Sequence, residues 1–366
     1  MIGHLAGEPD RHEAQSAMLG EVLAYAQAPL IGVAGTSGKS TAATLVGAML
    51  RSAGYRVSAN IETAYVRLGR FTPRDRIVLE LPWTLAAQAD GLSILAITSL
   101  GSDELEGGLT MDRAIESLRP AVASVSDALV VNADDAQCLA LGAAVRGRAL
   151  HVALGDRNAA ASVIDGTLHV RVDGAQNRVC AVDETALGVG GLVTDLMAAA
   201  AVAVRAGAGP SDVRKAAVRF SSRKGQHEVL GVRAGITWVN DAAATNPGRT
   251  ASTLASYDAP VYLVAGGDYG GQPLWRWAQV AAQRAARVLT FDSGAYALAD
   301  ALRGAGALER IVRCADLDDA MAVVRRLASP GDTVLFSPGC APGVEGDPGT
   351  AFRGLVGRPD SRSVAA

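Results

Sequence analysis

The stretch LIGVAGTSGKSTAATLVGAML, residues 30–50, limits this chain to a small set of folds. It joins a short apolar run to a glycine-rich loop and then to an alanine-rich segment. The apolar run predicts a buried strand and the alanine-rich segment predicts a helix, so the glycines stand at a strand-to-helix junction. Such a junction is typical of the βαβ unit and therefore indicates an α/β fold with a mostly parallel sheet.

The loop itself, Gly35-Thr36-Ser37-Gly38-Lys39-Ser40-Thr41, contains the residues of a phosphate-binding loop. Glycines let the backbone turn so that successive N–H groups and the start of the helix face an anion. A lysine can reach terminal phosphates, and a serine hydroxyl can bind Mg²⁺. The commonest loop of this kind has a further glycine where this chain has Val33. The alternative interpretation is a glycine-rich turn with an incidental lysine.

Further apolar runs alternate with helical patterns along the chain. RIVLEL, LSILAITS and DALVVNA predict more parallel strands, and Asp-Gly pairs within residues 151–185 predict antiparallel hairpins at the edge of the same sheet. A second βα series begins after the polar stretch SSRKGQHE. We therefore predict a central P-loop domain at residues 1–222, with a mostly parallel sheet, and a smaller Rossmann-like domain at residues 223–366.

Composition excludes several classes of function. The chain has 34 lysines and arginines and 37 aspartates and glutamates, without basic blocks, so we expect no nucleic-acid partner. No long uninterrupted apolar stretch and no signal-peptide pattern is present, so we expect no membrane partner. The four cysteines are far apart and lack zinc-ligand spacing, which favours reduced thiols and a cytoplasmic location.

The loop pattern GTxGK[ST] without the earlier glycine resembles the ATP-binding loop of the Mur ligases and folylpolyglutamate synthetases. The resemblance continues through VLELPW, where Glu80 matches the family's magnesium-associated glutamate, and through LVVNADD, residues 129–135. In the C-terminal half, WVNDAAATNPGRTASTL, VYLVAGGDYGG and PGDTVLFSPGCA are similar to the muramoylalanine–glutamate ligase branch. The similarity extends from about residue 30 to residue 345.

This resemblance implies a central P-loop ATPase domain that works with ATP and Mg²⁺. Mur-type ligases transfer the γ-phosphoryl group of ATP to a substrate carboxylate, and an amine then attacks the acyl phosphate. By resemblance, Lys39 and Glu80 are catalytic, and Ser40, Glu80 and Glu104 bind the metal, with Glu104 at the position of a family histidine. The nucleotide would be bound by the loop residues Gly35–Thr41 together with Asn240 and Asp241.

Several positions depart from the family pattern. The segment before the loop is too short for the family's UDP-binding domain. The family's carbamylated lysine falls near Leu118 or Arg119, its adenine-reading asparagines at Gly191 and Thr194, its His-Arg pair at Gly225 and Gln226, and its glutamate-binding lysine and serine at Ala243 and Pro342. We therefore predict a small-molecule acid without UDP, free or bound to a carrier protein, and an amine other than D-glutamate, in specialised metabolism such as natural product biosynthesis.

Two other functions fit the same residues. One is a nucleotide-binding subunit without ligase activity that acts with a partner protein, and the other is a phosphotransferase that releases the phosphorylated product. His227 could act on a substrate or be an incidental histidine, and Asp134 with Asp135 could be catalytic or could form a structural turn. Trp275 and Trp277 could line a pocket, although we expect one of them to pack in the core.

Overall fold

A computed structural model describes residues 8–100, 110–143, 145, 148–188, 190–257, 259–342 and 347–358. The chain divides into two compact units. The first comprises residues 1–188 and 192–220, and the second comprises residues 189–191 and 221–366. Within the described ranges, no helix is both long enough and apolar enough to cross a membrane.

The first unit is built from helices on both sides of a sheet. Its helices are α1 (Glu8–Tyr25), α2 (Lys39–Ser52), α3 (Ile61–Val66), α4 (Trp83–Ala86), α5 (Met111–Ser124), α6 (Ala136–Gly142), α7 (Leu192–Arg205) and α8 (Pro210–Arg219). Its strands are β1 (Leu30–Ala34), β2 (Val57–Ser58), β3 (Arg76–Glu80), β4 (Ile94–Ile97), β5 (Ala128–Asn132), β6 (Arg148–Leu154), β7 (Ala161–Ile164), β8 (Thr167–Val172) and β9 (Ala175–Ala181).

The strands of the first unit lie in the order β2-β3-β1-β4-β5-β6-β7-β8-β9. Every pairing from β2 to β7 is parallel, and the last two pairings are antiparallel. Both hairpins turn at the predicted Asp-Gly pairs, where Asp165 and Asp173 have φ values of 48° and 49° and the following glycines are also positive. The predicted parallel sheet with an antiparallel edge is therefore confirmed.

Strand β1 lies inside this sheet, between β3 and β4, and all of its residues are buried. Helices α2 and α7 pack against each other, and their buried residues are mainly alanine, leucine, valine and methionine. Small side chains let two helices approach closely, which explains the alanine-rich sequence of both segments. The parallel register brings the carboxyl ends of β1, β3 and β4 to one edge, where the glycine-rich loop begins.

The second unit has a six-stranded sheet among its described residues, in the order β10-β11-β15-β12-β13-β14. Its strands are β10 (Glu228–Arg233), β11 (Ile236–Asn240), β12 (Val261–Gly266), β13 (Ala285–Phe291), β14 (Ile311–Arg313) and β15 (Thr333–Gly339). Its helices are α9 (Pro247–Ala255), α10 (Trp275–Arg284), α11 (Ala295–Gly304), α12 (Leu317–Leu327) and α13 (Pro348–Gly357). All pairings are parallel except that of β10 with β11, as in a Rossmann-like sheet.

Candidate functional site

The glycine-rich loop needs its two glycines for steric reasons. Gly35 and Gly38 have φ values of 143° and 78°, conformations that residues with a Cβ rarely adopt. A Cβ on Gly35 would lie 2.3 Å from Oγ1 of Thr98, and a Cβ on Gly38 would lie 1.9 Å from Oδ1 of Asp195. The loop can therefore pass between these side chains only as glycine.

Residues that follow β4 hold the loop in place. The backbone N–H of Thr36 donates to the Ser99 carbonyl oxygen at 2.9 Å, and that of Ser37 donates to Ser99 Oγ at 3.1 Å. The Thr98 hydroxyl donates to the Ser37 carbonyl oxygen at 2.5 Å. Our sequence analysis missed Thr98 and Ser99, although their position directly after a strand that neighbours β1 was a signal.

The start of α2 presents donors for an anion. The N–H groups of Gly38, Ser40 and Thr41 donate to no other residue that the structure describes. Lys39 Nζ donates to the Gly35 carbonyl oxygen at 2.8 Å, so its ammonium group lies against the loop backbone. Unsatisfied N–H groups, the helix dipole and a lysine together form an environment that stabilises phosphate oxygens.

Ser40 and Glu80 form the candidate metal site. The Ser40 hydroxyl donates to Glu80 Oε1 at 2.7 Å, and both side chains are half-buried. Two oxygen ligands on neighbouring vertices of a magnesium octahedron stand about 3.0 Å apart, because each bond is about 2.1 Å. The 2.7 Å spacing of the pair therefore fits two oxygens that would together hold one Mg²⁺ ion. No group of three or more metal-ligating side chains lies elsewhere in the described ranges.

Glu104, the third predicted metal ligand, lies outside the residues that the structure describes. Its role stays a prediction. The described part of the candidate site consists of the loop, Ser40 and Glu80.

A residue that the sequence analysis missed lies directly against the loop. Asp195, in the first turn of α7, is 6% exposed. Burial raises the pKa of its carboxyl to about 7, and the nearby Lys39 ammonium opposes that rise. The signal in the sequence was one acidic residue near the start of an alanine-rich, largely apolar helix.

In the second unit, the predicted nucleotide ligands Asn240 and Asp241 are buried at the end of β11. Asn240 Nδ2 donates to Glu228 Oε2 at 3.2 Å and to the Gly349 carbonyl oxygen at 3.3 Å. These bonds join β11 to β10 and α13, so Asn240 has a structural role. Whether it also contacts a nucleotide stays a prediction.

Asp241 accepts hydrogen bonds on both oxygens. Oδ1 accepts from the backbone N–H of His227 at 3.1 Å, and Oδ2 accepts from the hydroxyls of Thr253 at 2.8 Å and Ser337 at 3.0 Å. Burial raises the pKa of Asp241 to about 6, although these three donors act in the opposite direction. Its nucleotide contact also stays a prediction.

His227 is a half-buried structural partner of Tyr257. The Tyr257 hydroxyl and His227 Nε2 are 2.9 Å apart, and burial lowers the pKa of His227 to about 4. The histidine is therefore neutral near pH 7.

The remaining candidate residues are the Asp134–Asp135 pair and two tryptophans. Asp135 caps α6 and accepts from the Leu100 N–H at 2.6 Å, and Asp134 accepts from the Leu154 N–H at 2.9 Å. Trp277 is fully buried, whereas Trp275 is 59% exposed. One tryptophan thus packs in the core, as expected.

A recess opens at the carboxyl ends of β11, β12, β13 and β15 in the second unit. Its empty volume is about 270 Å³, a figure that includes space open to solvent. Its lining is mostly small or apolar, with the Thr245 hydroxyl and the Asp292 carboxylate as polar exceptions. The lining residues are Ala242, Thr245, Gly266, Gly267, Phe291, Asp292, Pro338, Cys340, Ala341, Pro342 and Pro348. Ligands of open α/β sheets bind at this edge.

Comparison with known proteins identifies the family. The model for "Mur ligase, glutamate ligase domain" matches residues 227–340. A UDP-N-acetylmuramoylalanine–D-glutamate ligase from Symbiobacterium thermophilum is 33% identical over 90% of this chain and 75% of its own length. The chain belongs to the Mur ligase family. The predicted family is therefore confirmed, and the relatives of this Mur ligase family member are enzymes.

Solved structures support the same fold. MurF from Acinetobacter baumannii has a TM-score of 0.63 at 16% identity, covering 90% of this chain and 78% of that one. A Mycobacterium tuberculosis folylpolyglutamate synthase complexed with ADP and AMPPCP has a TM-score of 0.61 at 17% identity, covering 95% of each chain. The predicted α/β fold class of this Mur ligase family member is therefore confirmed.

Proposed function

We propose that this protein is an ATP- and Mg²⁺-dependent carboxylate–amine ligase that forms an amide through an acyl phosphate. A substrate carboxylate oxygen bonds to the γ-phosphorus of ATP as the bond to ADP breaks. The neutral amine then bonds to the acyl carbon, phosphate leaves, and the amine nitrogen loses a proton. The products are an amide, ADP and phosphate.

The main support for this proposal is that the phosphate loop and the Ser40–Glu80 pair lie next to each other. The N–H groups of Gly38, Ser40 and Thr41, which have no acceptor among the described residues, and the paired oxygens lie at one edge of the sheet. Phosphoryl transfer is accelerated mainly by positioning and by neutralising charge on the transferring group. This edge offers groups for both tasks.

Each side chain has a defined part in this proposal. Lys39 leaves the Gly35 carbonyl oxygen and neutralises the terminal phosphates. Ser40 and Glu80 would hold Mg²⁺, directly or through water, and Glu104 would assist them. Asp241, which accepts one hydrogen bond on Oδ1 and two on Oδ2, retains acceptor capacity on Oδ1 for a nucleotide hydroxyl group.

The proposed amine is small and lacks a carboxylate. The described recess contains one carboxylate, Asp292, and no lysine or arginine among its lining residues. A carboxylate-bearing amine such as D-glutamate would enter without a cationic partner there, which is unfavourable. Pro342 lies in this lining, at the position of the glutamate ligase's serine.

The proposed acid, free or carrier-bound and from specialised metabolism, lacks a UDP group. This part of the proposal is tested by presenting a UDP-linked muramoyl acid and free acids side by side, each with D-glutamate and with small amines. Turnover with only the UDP-linked acid and D-glutamate would contradict it. ATP binding without turnover by any pair would favour a subunit that needs a partner protein, and ADP release without an amine would favour a phosphotransferase.

The nucleotide part is tested by calorimetric titration of Mg·ATP into the wild type, Lys39→Ala and the control Lys215→Ala. The Lys215 side chain is 59% exposed on α8, so its loss leaves the loop unchanged. We expect the wild type and the control to bind equally, and Lys39→Ala to bind at least tenfold more weakly. Equal binding by all three proteins, or binding by none, would contradict the proposal.

A further inference from the structure

Asp195 is a buried carboxylate placed against the backbone of the phosphate loop. Its Oδ1 lies 1.9 Å from the point where a Cβ on Gly38 would be, so the carboxylate touches the glycine at the start of α2. The side chain is 6% exposed. It follows that solvent hydrates this carboxylate very little.

The carboxylate of Asp195 also lacks hydrogen-bond donors within the described part of the chain. Neither of its oxygens accepts a hydrogen bond from a described residue, and this contrasts with Asp241, which has three donors. A buried ionised carboxylate without donors is unfavourable. Some other source of positive charge must stabilise it whenever it is ionised.

The positive charge near Asp195 belongs to the phosphate loop. Lys39 is the charged group, among those described, that acts electrostatically on Asp195. The N-terminus of α2 adds partial positive charge beside Gly38, and Asp195 also lies in the first turn of α7. These are the same positive groups that would stabilise a bound phosphate.

The other elements packed on α7 add little to this environment. They are β4, β5, β6, β7, β8, α2 and α8. Their titratable or charged residues whose side chains the structure describes, apart from Lys39, are Arg51, His151, His169, Arg171, Asp212, Arg214, Lys215 and Arg219. The pKa of Asp195 responds to burial and to Lys39, and to none of these.

We propose that Asp195 is an internal counter-anion of the phosphate loop, and that binding of a nucleoside triphosphate there transfers a proton from solvent to its carboxylate. This inference rests on the proposed function, because it requires a triphosphate at the loop. The carboxylate oxygen gains the proton, the buffer loses it, and no other bond changes.

The physical reason is that two anions would share one set of positive groups. Burial already raises the pKa of Asp195 to about 7, against the attraction of Lys39. A bound triphosphate draws Lys39 away and adds negative charge, and both changes raise that pKa further. Below pH 7 the carboxyl is mostly protonated before binding, so the two anions do not compete. Above pH 7 the Asp195 carboxylate must take up a proton for each nucleotide that binds, and affinity falls by up to about tenfold per pH unit.

The test titrates Mg·AMPPNP into the full chain at pH 7.0, 7.75 and 8.5, using two buffers of different ionisation enthalpy at each pH. The proteins are the wild type, Asp195→Asn, Asp195→Ala and the exposed control Asp183→Asn. For the wild type and the control we expect uptake of close to one proton at pH 8.5, and Kd at least fivefold higher than at pH 7.0. For both Asp195 variants we expect negligible proton uptake and a Kd that changes less than twofold.

Each outcome decides the proposal. Wild-type binding that depends on Lys39 but does not vary with pH would overturn this inference and leave the proposed function intact. Variants at Asp195 that fold but bind at least tenfold more weakly at pH 7.0 would also overturn it, because the carboxylate would then assist binding. No binding by the wild type at any pH would contradict both proposals. The wild-type proton uptake is informative even if both variants fail to fold.

Discussion

The Ser40 hydroxyl donates to Oε1 of Glu80 over 2.7 Å, although the two residues are 40 positions apart in the sequence. The parallel register of β1 and β3 produces this contact, because it pairs Val33 with Glu80. The Glu80 carboxylate therefore lies beside the start of α2. The loop and its candidate metal ligand are positioned by the same pair of strands.

Glu80→Gln should weaken binding of the magnesium complex of ATP by about tenfold to a hundredfold, because it removes a charge from the metal's environment. Binding of ATP in EDTA should change less than threefold. Calorimetric titration with and without Mg²⁺ measures both values.

The matched control is Glu116→Gln, which removes an exposed glutamate in the same unit. It should leave both affinities unchanged. Equal losses for Glu80→Gln with and without Mg²⁺ would contradict a metal role and would indicate damage to the loop.

Gly38→Ala should destabilise the first unit more than Gly54→Ala. Both glycines have positive φ, 78° and 88°, so both alanine variants incur about 1 kcal/mol of backbone strain. A Cβ at Gly38 also collides with Asp195, whereas a Cβ at Gly54 meets no atom within 4 Å. Denaturant unfolding measures the difference.

When Asp195 is also replaced by alanine, the additional destabilisation caused by Gly38→Ala should disappear, because the carboxylate oxygens that collide with the new Cβ are absent. A penalty that persists undiminished in this double variant would show that the carboxylate is not the obstacle.

Asp241→Ala should lower the free energy of unfolding by about 3 kcal/mol, because the three donors of this buried carboxylate lose their acceptor. Ser337→Ala, which removes one of those donors, should lower it by about 1 kcal/mol. Denaturant unfolding checks both values. Ser337→Ala also serves as the control for nucleotide binding. If Asp241→Asn folds and binds Mg·ATP as tightly as Ser337→Ala does, the predicted nucleotide contact of Asp241 is contradicted.

Asp75 should make stability depend on acid pH. Hydrogen bonds from Arg56, at 3.0 and 2.7 Å, hold the pKa of this buried carboxyl at about 2, below its unfolded value of about 3.9. Its stabilising contribution is therefore complete above about pH 4 and is lost as pH falls towards 2. Urea unfolding at pH 5, 4 and 3 should show a steeper decline for the wild type than for Asp75→Asn.

The exposed variant Asp183→Asn should retain the wild-type decline. Parallel curves for the wild type and Asp75→Asn would show that the Arg56 pair contributes nothing to acid stability.

The elements around the loop could be predicted from the sequence because each carries a strong local signal. Strand β1 is a continuous apolar run that stops at a glycine, and the Asp-Gly turns at Asp165 and Asp173 are short-range hairpin signals. Glu80 was identified from its match to the family's magnesium-associated glutamate, in the local sequence VLELPW at the end of a strand. These features depend on residues that are neighbours in the chain.

Other parts of the fold and site could not be predicted, because they depend on contacts between distant residues or carry a weak local pattern. Nothing local to Asp195 indicates that the first turn of α7 lies against Gly38. The short strand β14 (Ile311–Arg313) and the half-exposed strand β10 (Glu228–Arg233) carry too weak an apolar pattern to be recognised. The three donors to Asp241 likewise come together only in the folded unit.

The most direct test of the central claim is ADP release by the purified chain with Mg·ATP and panels of acids and of small amines, supplied separately and together. We predict that ADP forms only when acid and amine are both present, and that the amount of ADP equals the amount of new amide. Lys39→Ala should release no ADP, and Lys215→Ala should release as much as the wild type. ADP release that is independent of the acid, or that persists in Lys39→Ala, would contradict the central claim.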